Sequence, residues 1–389
     1  MKTLTVTWNT YTNYGTQLQA YALQQKLEQL GHENQILSDA EILKRQFAGK
    51  DRRKPVEESA APANKLVRLL RCPGRISRKL LARRDPLEYS KPFSQSKQAS
   101  TSFRRDFLNI RYDVPVDELS RLNEDCDAFV CGSDQVWSVF EDVFNPFYYL
   151  DFASKPKIAY APSMGTDKIP PQTAEKIRSL VQDFTAISVR ESACAQQMAQ
   201  ITGREVFWVL DPTLLHERIF WEQFTEGVEV PRQKYLLCYF LENRPWYFAY
   251  AQTLARKLKL KLLLIPNDWE YLQYPFVAKS GVGPREFAAL YRGATFVLTD
   301  SYHGTIFSTI FEKNFLYLQR FRDDDSRSQN IRIQSLFDAL NLTDRIISQD
   351  STPKKPDAID FGKVHEKLSE MRRASNDFLQ ESLESIEIR

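Results

Sequence analysis

A histidine within residues 299–308, TDSYHGTIFS, is the first side chain whose type and setting could do chemistry. It stands between an apolar run, ATFVL, and a helix-like run, TIFSTIFEK. Because the unperturbed pKa of imidazole, about 6.5, allows proton transfer in both directions near neutrality, His303 is a candidate catalytic acid or base. The alternative is a histidine that packs in the core or caps the turn.

The residues around His303 could assist it. The backbone amides of Gly304 and Thr305 open the predicted helix and could bind an anion, and Gly304 has no Cβ to keep a ligand away. Asp300 could orient the imidazole or simply cap the turn. The turn therefore predicts an anion site beside a proton carrier.

Two further loops follow predicted strands and carry charged side chains. Arg190 ends the run AISVR, and its guanidinium matches a carboxylate or phosphate; a structural salt bridge with Glu191 or an aspartate is the alternative. Asp134, in CGSDQVW, could be the base for a hydroxyl group or could hydrogen-bond a sugar. Ser133 and Asp134 could equally cap a helix, while the amide of Gln135 suits a sugar.

A fourth loop, NYGT, precedes the first predicted helix and offers Asn13, Gly15 and Thr16 as a polar wall. Trp137 could present an apolar face to a sugar or pack in the core. All four loops lie at predicted strand ends, where ligands bind in doubly wound sheets. We therefore expect them to converge on one cleft.

The elements that would position these loops alternate between strands and helices. The runs TLTVTW, NQILS, DAFVCG, KIAYAP, AISVR and VFWVL predict buried strands with helices between them, and the pattern restarts at YLLCYFL. This alternation predicts an α/β fold with parallel sheets covered on both faces. The restart predicts two Rossmann-like domains, residues 1–228 and 229–359, with a hinge near residues 226–233 and a cleft between them.

The segment 360–389 is predicted to be one long amphipathic helix. Its apolar stripe runs from Val364 to Ile386, with Ser375 as the one polar interruption.

Composition restricts the class of protein. The 389 residues carry a net charge of +3, which gives no case for nucleic acid binding. The first residues lack the apolar stretch of a signal peptide, and no apolar run is long enough to span a bilayer. The five cysteines form no CxxC pair, which is typical of reduced thiols in the cytoplasm.

Positive charge is concentrated in residues 44–105, which contain 18 Lys/Arg and 5 Asp/Glu, a net charge of +13. One interpretation is a solvated, irregular insertion in the first domain. The other is a face for an anionic surface or a phosphate-bearing substrate, which would place the protein at the inner face of the membrane.

The remaining histidines, His32, His216 and His365, are predicted to lie at the surface. The acidic residues 323–325 lie among arginines and lack further ligands at fixed spacing, so we predict a solvated loop and no metal site.

Eight segments together resemble the polysaccharide pyruvyl transferase family. In chain order they are NTYTNYGTQLQAYAL, CGSDQVW, FYYLDF, KIAYAPSMG, ISVRES, VLDPTLL, VGPREF and TDSYHGTIFS. The resemblance covers nearly the whole chain apart from the basic segment. It implies a GT-B-like fold, with two Rossmann-like domains and a C-terminal helix that crosses back to the first.

The resemblance also implies an activity: transfer of pyruvate from phosphoenolpyruvate to two hydroxyls of a sugar, forming a cyclic ketal, without a cofactor. The acceptor would be a glycan, which could be linked to a polyprenyl diphosphate. Members of the family often have a basic residue in the turn, as in Asp-Arg-Leu-His. Here Ser301 takes that place, so one anion contact would come from elsewhere.

Two other functions remain open on the sequence. One is a glycosyltransferase that uses a nucleotide sugar in the same cleft, and the other is a glycan-binding protein without activity. A glycosyltransferase would more often show a basic pair for the diphosphate in the second half of the chain, where the sequence indicates no clear pair.

Overall fold

Two parallel β-sheets, one in each half of the chain, form the framework of the protein. They are seen in a computed structural model that describes residues 1–46, 86–112, 114–267, 271, 274, 276–278 and 281–387. Every strand pair in both sheets is parallel, as the alternation of strands and helices predicts.

The first sheet has seven strands in the order β3-β2-β1-β4-β5-β6-β7. The strands are β1 (Lys2–Val6), β2 (Glu33–Leu37), β3 (Ile110–Arg111), β4 (Ala128–Cys131), β5 (Lys157–Ala159), β6 (Phe184–Val189) and β7 (Phe207–Trp208). The strand order reverses between β1 and β4, and such a reversal opens a crevice at the carboxyl ends of the two strands.

The second sheet has five strands in the order β12-β11-β10-β8-β9. They are β8 (Tyr235–Tyr239), β9 (Lys261–Ile265), β10 (Phe296–Thr299), β11 (Phe315–Leu318) and β12 (Ile346–Ile347). Here the order reverses between β8 and β10, so the loop that contains His303 leaves the sheet at its own switch point.

Helices cover both sheets. Within the described residues they are α1 (Tyr14–Gln29), α2 (Ala40–Gln46), α3 (Pro86–Phe107), α4 (Leu122–Asp125), α5 (Pro171–Leu180), α6 (Ser192–Thr202), α7 (Pro212–Leu215), α8 (Arg218–Phe224), α9 (Pro245–Leu258), α10 (Pro284–Gly293), α11 (Tyr302–Ile310), α12 (Ile331–Leu340) and α13 (Phe361–Glu387).

One continuous apolar core joins the two domains behind the site. Tyr14, at the start of α1, stacks on Phe287 of α10 with ring centroids 5.0 Å apart and lies 5.7 Å from the ring of Tyr239. These rings are buried within a cluster that draws side chains from both sheets. The domain interface is therefore packed like a domain interior rather than like a wet, mobile contact.

Part of the basic segment 44–105 is not the irregular insertion that the sequence suggests. Helix α3 packs Phe103 against Phe107 and Phe224, at centroid distances of 5.1 and 6.1 Å. The buried Ser96 hydroxyl accepts a hydrogen bond from the Val282 amide of the second domain. Residues 95–107 thus belong to the domain interface, and residues 47–85, with most of the basic charge, lie outside the described residues.

The long C-terminal helix returns to the first domain, as the resemblance implies. The first part of α13 buries Val364 and Leu368 in the core shared by the two domains. Its later part buries Phe378 and Leu379 in a first-domain cluster that includes Tyr160.

The polar interruption in the helix has a structural role. Ser375 is buried, and its hydroxyl accepts a hydrogen bond of 2.9 Å from the Leu210 amide. Leu210 lies in the segment that follows β7.

Two simpler properties complete the fold. Nowhere in the described part of the chain does a helix combine the length and the apolar character that crossing a membrane requires. The four described cysteines, Cys126, Cys131, Cys194 and Cys238, are buried and unpaired, and Cys72 lies outside the described residues.

Candidate active site

The ends of strands from both sheets bring a histidine, an arginine and two aspartates together. Arg190, after β6, donates a hydrogen bond of 2.7 Å from Nη1 to Oδ2 of Asp211, which follows β7. The same carboxylate oxygen lies 3.4 Å from Nε2 of His303. Asp134, after β4, has its Oδ1 3.7 Å from Nη2 of Arg190. Three of the residues chosen from the sequence, His303, Arg190 and Asp134, therefore share one site.

Asp211 is the centre of the arrangement and was not singled out from the sequence. Its Oδ1 accepts hydrogen bonds from the amide and hydroxyl of Thr213 and caps the short helix α7. Burial works to raise the pKa of Asp211, but His303, Arg190 and Thr213 outweigh burial and hold the pKa well below its usual range. Asp211 is therefore a buried carboxylate that can orient an imidazole and stabilise its protonated form.

His303 lies in the first turn of α11, because the helix begins at Tyr302, two residues before the start at Gly304 that the sequence suggests. The residue is only 6% exposed, and its Nε2 has no hydrogen-bond partner among the described residues, because 3.4 Å to Asp211 is a contact and not a well-formed hydrogen bond. On the other side it meets Gly15 of α1. A Cβ on Gly15 would lie only 2.2 Å from Cγ and Nδ1 of His303, so glycine is required by this close approach.

Asp134 is held in a strained backbone conformation. Its φ of 72° and ψ of −174° fall in a region that is essentially restricted to glycine and costs about 1–3 kcal/mol. The carboxylate is fixed by a hydrogen bond of 2.6 Å from the Thr16 hydroxyl and one of 2.9 Å from the Gln135 amide. Such strain is most common at functional positions, and here it turns the carboxylate toward Arg190.

Arg190 is 3% exposed and keeps unused hydrogen-bond donors. Neither Nε nor Nη2 has a hydrogen-bond partner among the described residues, although Glu191 lies 3.8 Å from Nε. Glu191 instead accepts hydrogen bonds from the Ser163 hydroxyl and the Met164 amide. The alternative expected from the sequence, a salt bridge with Glu191 or an aspartate, is therefore present, with Asp211 as the main partner and Glu191 at a longer distance.

Two arginines of the second domain extend the positive charge. The guanidinium carbon of Arg190 lies 4.4 Å from the centroid of the Tyr302 ring, and that of Arg332 lies 5.9 Å from it. Burial, with the nearby charges of Arg190 and Arg320, lowers the pKa of Arg332 to about 10. The sequence indicates no clear basic pair in the second half of the chain, and in the folded chain Arg320 lies near enough to Arg332 to affect its pKa.

The turn around His303 is built differently from the sequence-based interpretation. Asp300 does not touch His303; its carboxylate accepts hydrogen bonds of 2.6 and 3.0 Å from the amides of Leu241 and Glu242 in the loop after β8. Desolvation of this buried carboxylate raises the pKa of Asp300 to about 6. The carboxylate therefore ties together the two loops at the switch point of the second sheet.

The amides predicted to hold an anion are already occupied. Ser301 is the N-cap of α11: its hydroxyl accepts a hydrogen bond from the Gly304 amide and its carbonyl accepts one from the Thr305 amide. A Cβ on Gly304 would lie 2.4 Å from Oγ1 of Thr299, so this glycine serves packing and not the approach of a ligand. The Thr305 hydroxyl donates to the Tyr302 carbonyl.

The other predicted site residues mostly support the loops. The Asn13 side chain caps α1 by accepting from the amides of Gly15 and Thr16. The buried Ser133 hydroxyl lies 3.4 Å from Oδ2 of Asp211. Gln135 is partly exposed beside Gly165 at the edge of the site.

Trp137 and His216 are both in the core. Trp137 stacks on Tyr149 at 4.8 Å and is fully buried, so it does not face a sugar. His216 was expected at the surface, but it is buried against Phe220 with Nε2 2.8 Å from the Ala22 carbonyl. Burial lowers the pKa of His216 to about 4.

A cavity of about 200 Å³ lies beside the site and between the two domains. It is lined by Thr166, Asp167 and Lys168 from the first domain and by residues of the loop that precedes α12 in the second. Asp323 and Asp324 in that loop are exposed, and they accept hydrogen bonds from Gln319 and Arg322.

The protein has two Rossmann-like domains whose strand ends face a shared polar site, and its C-terminal helix crosses back to the first domain. These features define the GT-B class of folds. Within that class, the family model of polysaccharide pyruvyl transferase matches residues 13–320, and the chain belongs to this family. The family is one of transferases. No curated protein sequence matches the chain.

Solved structures with a similar arrangement include enzymes that handle nucleotide sugars. MnaA of S. aureus, solved with UDP, has a TM-score of 0.47 and 12% identity over 98% of this chain and 91% of its own. UDP-GlcNAc 2-epimerase of Neisseria meningitidis has a TM-score of 0.46 and 10% identity over 99% and 100%. MurG of Acinetobacter baumannii has a TM-score of 0.40 and 10% identity over 97% and 95%.

Proposed function

We propose that the protein transfers pyruvate from phosphoenolpyruvate to two hydroxyls of a sugar and forms a cyclic ketal, in the synthesis of a capsule, exopolysaccharide or other cell-envelope glycan. The observation that carries the proposal is the contact of His303 with the buried Asp211, beside an arginine with unused donors. Membership of the polysaccharide pyruvyl transferase family supports the same reaction.

The chemistry assigns one task to each group. His303 protonates the methylene carbon of phosphoenolpyruvate, which makes a methyl group and leaves positive charge at the adjacent carbon. The first sugar hydroxyl adds at that carbon and gives its proton to Asp134. The second hydroxyl then replaces the phosphate, which leaves with its bonding electrons, and its proton passes to the imidazole that the first step deprotonated.

The local geometry suits these tasks. Asp211 holds the imidazole and stabilises its protonated form before transfer, since the carboxylate is ionised far below neutral pH. Arg190 presents Nε and Nη2 to the carboxylate or phosphate of the donor.

The alternative is a glycosyltransferase that uses a nucleotide sugar in the same pathway. The observation in its favour is the pair Arg320 and Arg332, because two guanidiniums suit a diphosphate. Both reactions would use the same cleft between the domains.

The test uses the whole protein with phosphoenolpyruvate and a lipid-linked glycan extract. Phosphate release together with a gain in glycan mass equal to one pyruvate ketal supports the proposal. His303→Ala should lower the rate by about 10²- to 10⁴-fold. His365→Ala, on the partly exposed face of α13, is the matched control and should keep the wild-type rate. Release of a nucleoside diphosphate from a nucleotide sugar, without pyruvate transfer, would replace the proposal with the alternative.

We further propose that the protein works in the cytoplasm, at the inner face of the membrane, on an acceptor carried by a polyprenyl diphosphate. The support is the net charge of +13 in residues 44–105, which suits an anionic surface. Neutralising Arg68, Arg71, Arg78, Arg83 and Arg84 should weaken binding to anionic liposomes and leave activity on a soluble acceptor intact. Unchanged liposome binding would refute the membrane contact.

A further inference from the structure

Two guanidinium groups, one from each domain, approach the ring of Tyr302, and a third lies near one of them. Arg190 follows β6 in the first domain, Arg320 follows β11, and Arg332 lies in the first turn of α12. The guanidinium carbons of Arg190 and Arg332 lie 4.4 and 5.9 Å from the centroid of the Tyr302 ring, so they are no more than 10.3 Å apart. The Arg320 guanidinium is close enough to Arg332 to affect the pKa of Arg332.

Each of these arginines has donors that no described protein group uses. Nε is buried and without a hydrogen-bond partner among the described residues in Arg190, Arg320 and Arg332 alike. Arg332 does donate from Nη2 to Oε1 of Gln329, at 2.9 Å. Since an amide oxygen is neutral, this bond does not compensate the charge of Arg332, and the nearby carboxylate that favours its charged form is Asp134, which is already hydrogen-bonded to Thr16 and Gln135.

The negative charges nearby are already engaged. Asp211 is the hydrogen-bonded partner of Arg190, and Glu242 lies 3.5 Å from Nη2 of Arg320 and is partly exposed. No carboxylate of the described residues lies within 4 Å of Arg332. A buried charge without a paired carboxylate is costly, and Arg332, which also has the charges of Arg190 and Arg320 nearby, is one that a bound anion would compensate.

We infer that Arg332, together with Arg190 and Arg320, forms a subsite beside Tyr302 that binds a phosphoryl group. A guanidinium fork matches the oxygens of a phosphoryl group and can form paired, charge-assisted hydrogen bonds with it. The subsite also accounts for Ser301 in the turn, since Arg332 reaches the same region from α12. Assigning the phosphoryl group to phosphoenolpyruvate rests on the proposed function, whereas the anion subsite itself does not.

The first test measures binding of inorganic phosphate to the full-length protein by isothermal titration calorimetry. Arg332→Met should raise the dissociation constant by about 10- to 100-fold, because hydrogen bonds to a charged partner are lost. Arg332→Lys keeps the positive charge but loses the forked donors of the guanidinium. Its dissociation constant should lie between those of the wild type and Arg332→Met. Arg322→Met is the matched control, since Arg322 lies in the preceding loop, is exposed and pairs with Asp324.

The result for each variant is decisive. Wild-type protein that fails to bind phosphate at millimolar concentration would overturn the inference. The inference would also be overturned if both Arg332→Met and Arg332→Lys bound phosphate as tightly as the wild type. The same holds if Arg322→Met bound phosphate as weakly as Arg332→Met. Circular dichroism before each titration identifies a variant that has lost its fold, and the lysine variant then decides.

The second test identifies the source of the phosphoryl group by competition with bound phosphate. Displacement by phosphoenolpyruvate supports the subsite and the proposed donor. Displacement by UDP, but not by phosphoenolpyruvate, keeps the subsite and removes the proposed donor. Pyruvate, which has a carboxylate but no phosphoryl group, should displace phosphate weakly, and equal displacement by pyruvate would refute the phosphoryl assignment. Displacement by neither phosphorylated compound would overturn the inference.

Discussion

Gly15 and His303 should be strongly coupled in both stability and activity. Gly15 lies in the first turn of α1, and an alanine there would place its Cβ 2.2 Å from Cγ and Nδ1 of the imidazole and 2.6 Å from its Cβ. Ordinary van der Waals contact begins near 3.4 Å, so the imidazole or the helix must move by at least 1.2 Å. The test therefore combines Gly15→Ala with histidine, alanine or glycine at position 303.

The expected size follows from two opposing effects. Overpacking of this kind costs about 1–3 kcal/mol, while replacing glycine by alanine within a helix gains up to about 1 kcal/mol. In the wild-type background the net effect of Gly15→Ala should be a loss of about 0–3 kcal/mol in the free energy of unfolding. In a His303→Gly background the clash is absent, and Gly15→Ala should stabilise the protein by up to about 1 kcal/mol. His303→Ala keeps the Cβ at 2.6 Å and should give an intermediate value.

The assay is urea unfolding of the single and double variants, analysed as a double-mutant cycle, with steady-state rates for those that stay folded. A displacement of about 1 Å at a catalytic group can cost about 10²-fold in rate, so Gly15→Ala should lower kcat/KM by that order. The control repeats Gly15→Ala in a His365→Ala background, where the cost should equal that in the wild type.

One outcome would refute this reasoning directly. If Gly15→Ala has the same effect on unfolding in the wild-type, His303→Ala and His303→Gly backgrounds, the two side chains do not share the space that the structure assigns to them. Loss of the fold in the double variants would show up as lost circular dichroism and would leave the single-variant comparison to decide.

Three further predictions concern charge and strain at the site. The raised pKa of Asp300, about 6 in the folded protein, means that the folded state binds the proton more tightly than the unfolded state does. The free energy of unfolding of the wild type, relative to that of Asp300→Asn, should therefore fall as pH rises from about 4 to about 6. Urea unfolding measured over that pH range would contradict this prediction if the difference stayed constant. Asp134→Gly relieves the backbone strain at φ 72° and should unfold with a free energy about 1–3 kcal/mol higher than Asp134→Ala; equal values would show that no strain is stored there. Arg332→Met removes a repulsion from Arg190 of at least about 1.6 kcal/mol at an effective dielectric constant of about 20, so without phosphate it should be at least as stable as the wild type. Destabilisation of Arg332→Met by more than about 2 kcal/mol would mark Arg332 as a structural residue instead.

The framework of the fold could be predicted from the sequence because buried parallel strands are short apolar runs between amphipathic helices. The restart at YLLCYFL and the long final helix also appear in the structure. What the sequence could not supply was the packing of helix α3, since its arginines suggested a solvated segment. The rings of Phe103 and Phe107 face the domain interface and decide its position.

The site was predictable where a side chain lies within four residues after the end of a strand. His303, Arg190 and Asp134 do so, and the structure brings them together. Asp211 also follows a strand, in VLDPTLL, but Asp-Pro-Thr is typical of a helix cap, which it also forms. Its position after the last strand of the first sheet was the signal that could have found it.

Arg320 and Arg332 could not be found from the sequence. They are twelve positions apart in an arginine-rich stretch and meet only because β11 and α12 pack side by side on the second sheet. The amides of Gly304 and Thr305 were misassigned for a related reason, since a serine before a helix satisfies the first amides itself.

The return of α13 to the first domain links the site to the order in which the chain is made. Phe378, Leu379 and Leu383 pack in one cluster with Val130 and Tyr160, so this part of the first-domain core is incomplete until α13 arrives. At about 5–20 residues per second, the ribosome needs roughly 8–30 seconds to pass from residue 228 to residue 386. During that interval the first domain exposes an apolar surface and lacks the Ser375 hydroxyl that holds Leu210 next to Asp211. Chaperones that bind apolar surfaces on nascent chains therefore have a defined target, and the active site is completed only after its own domain has been synthesised.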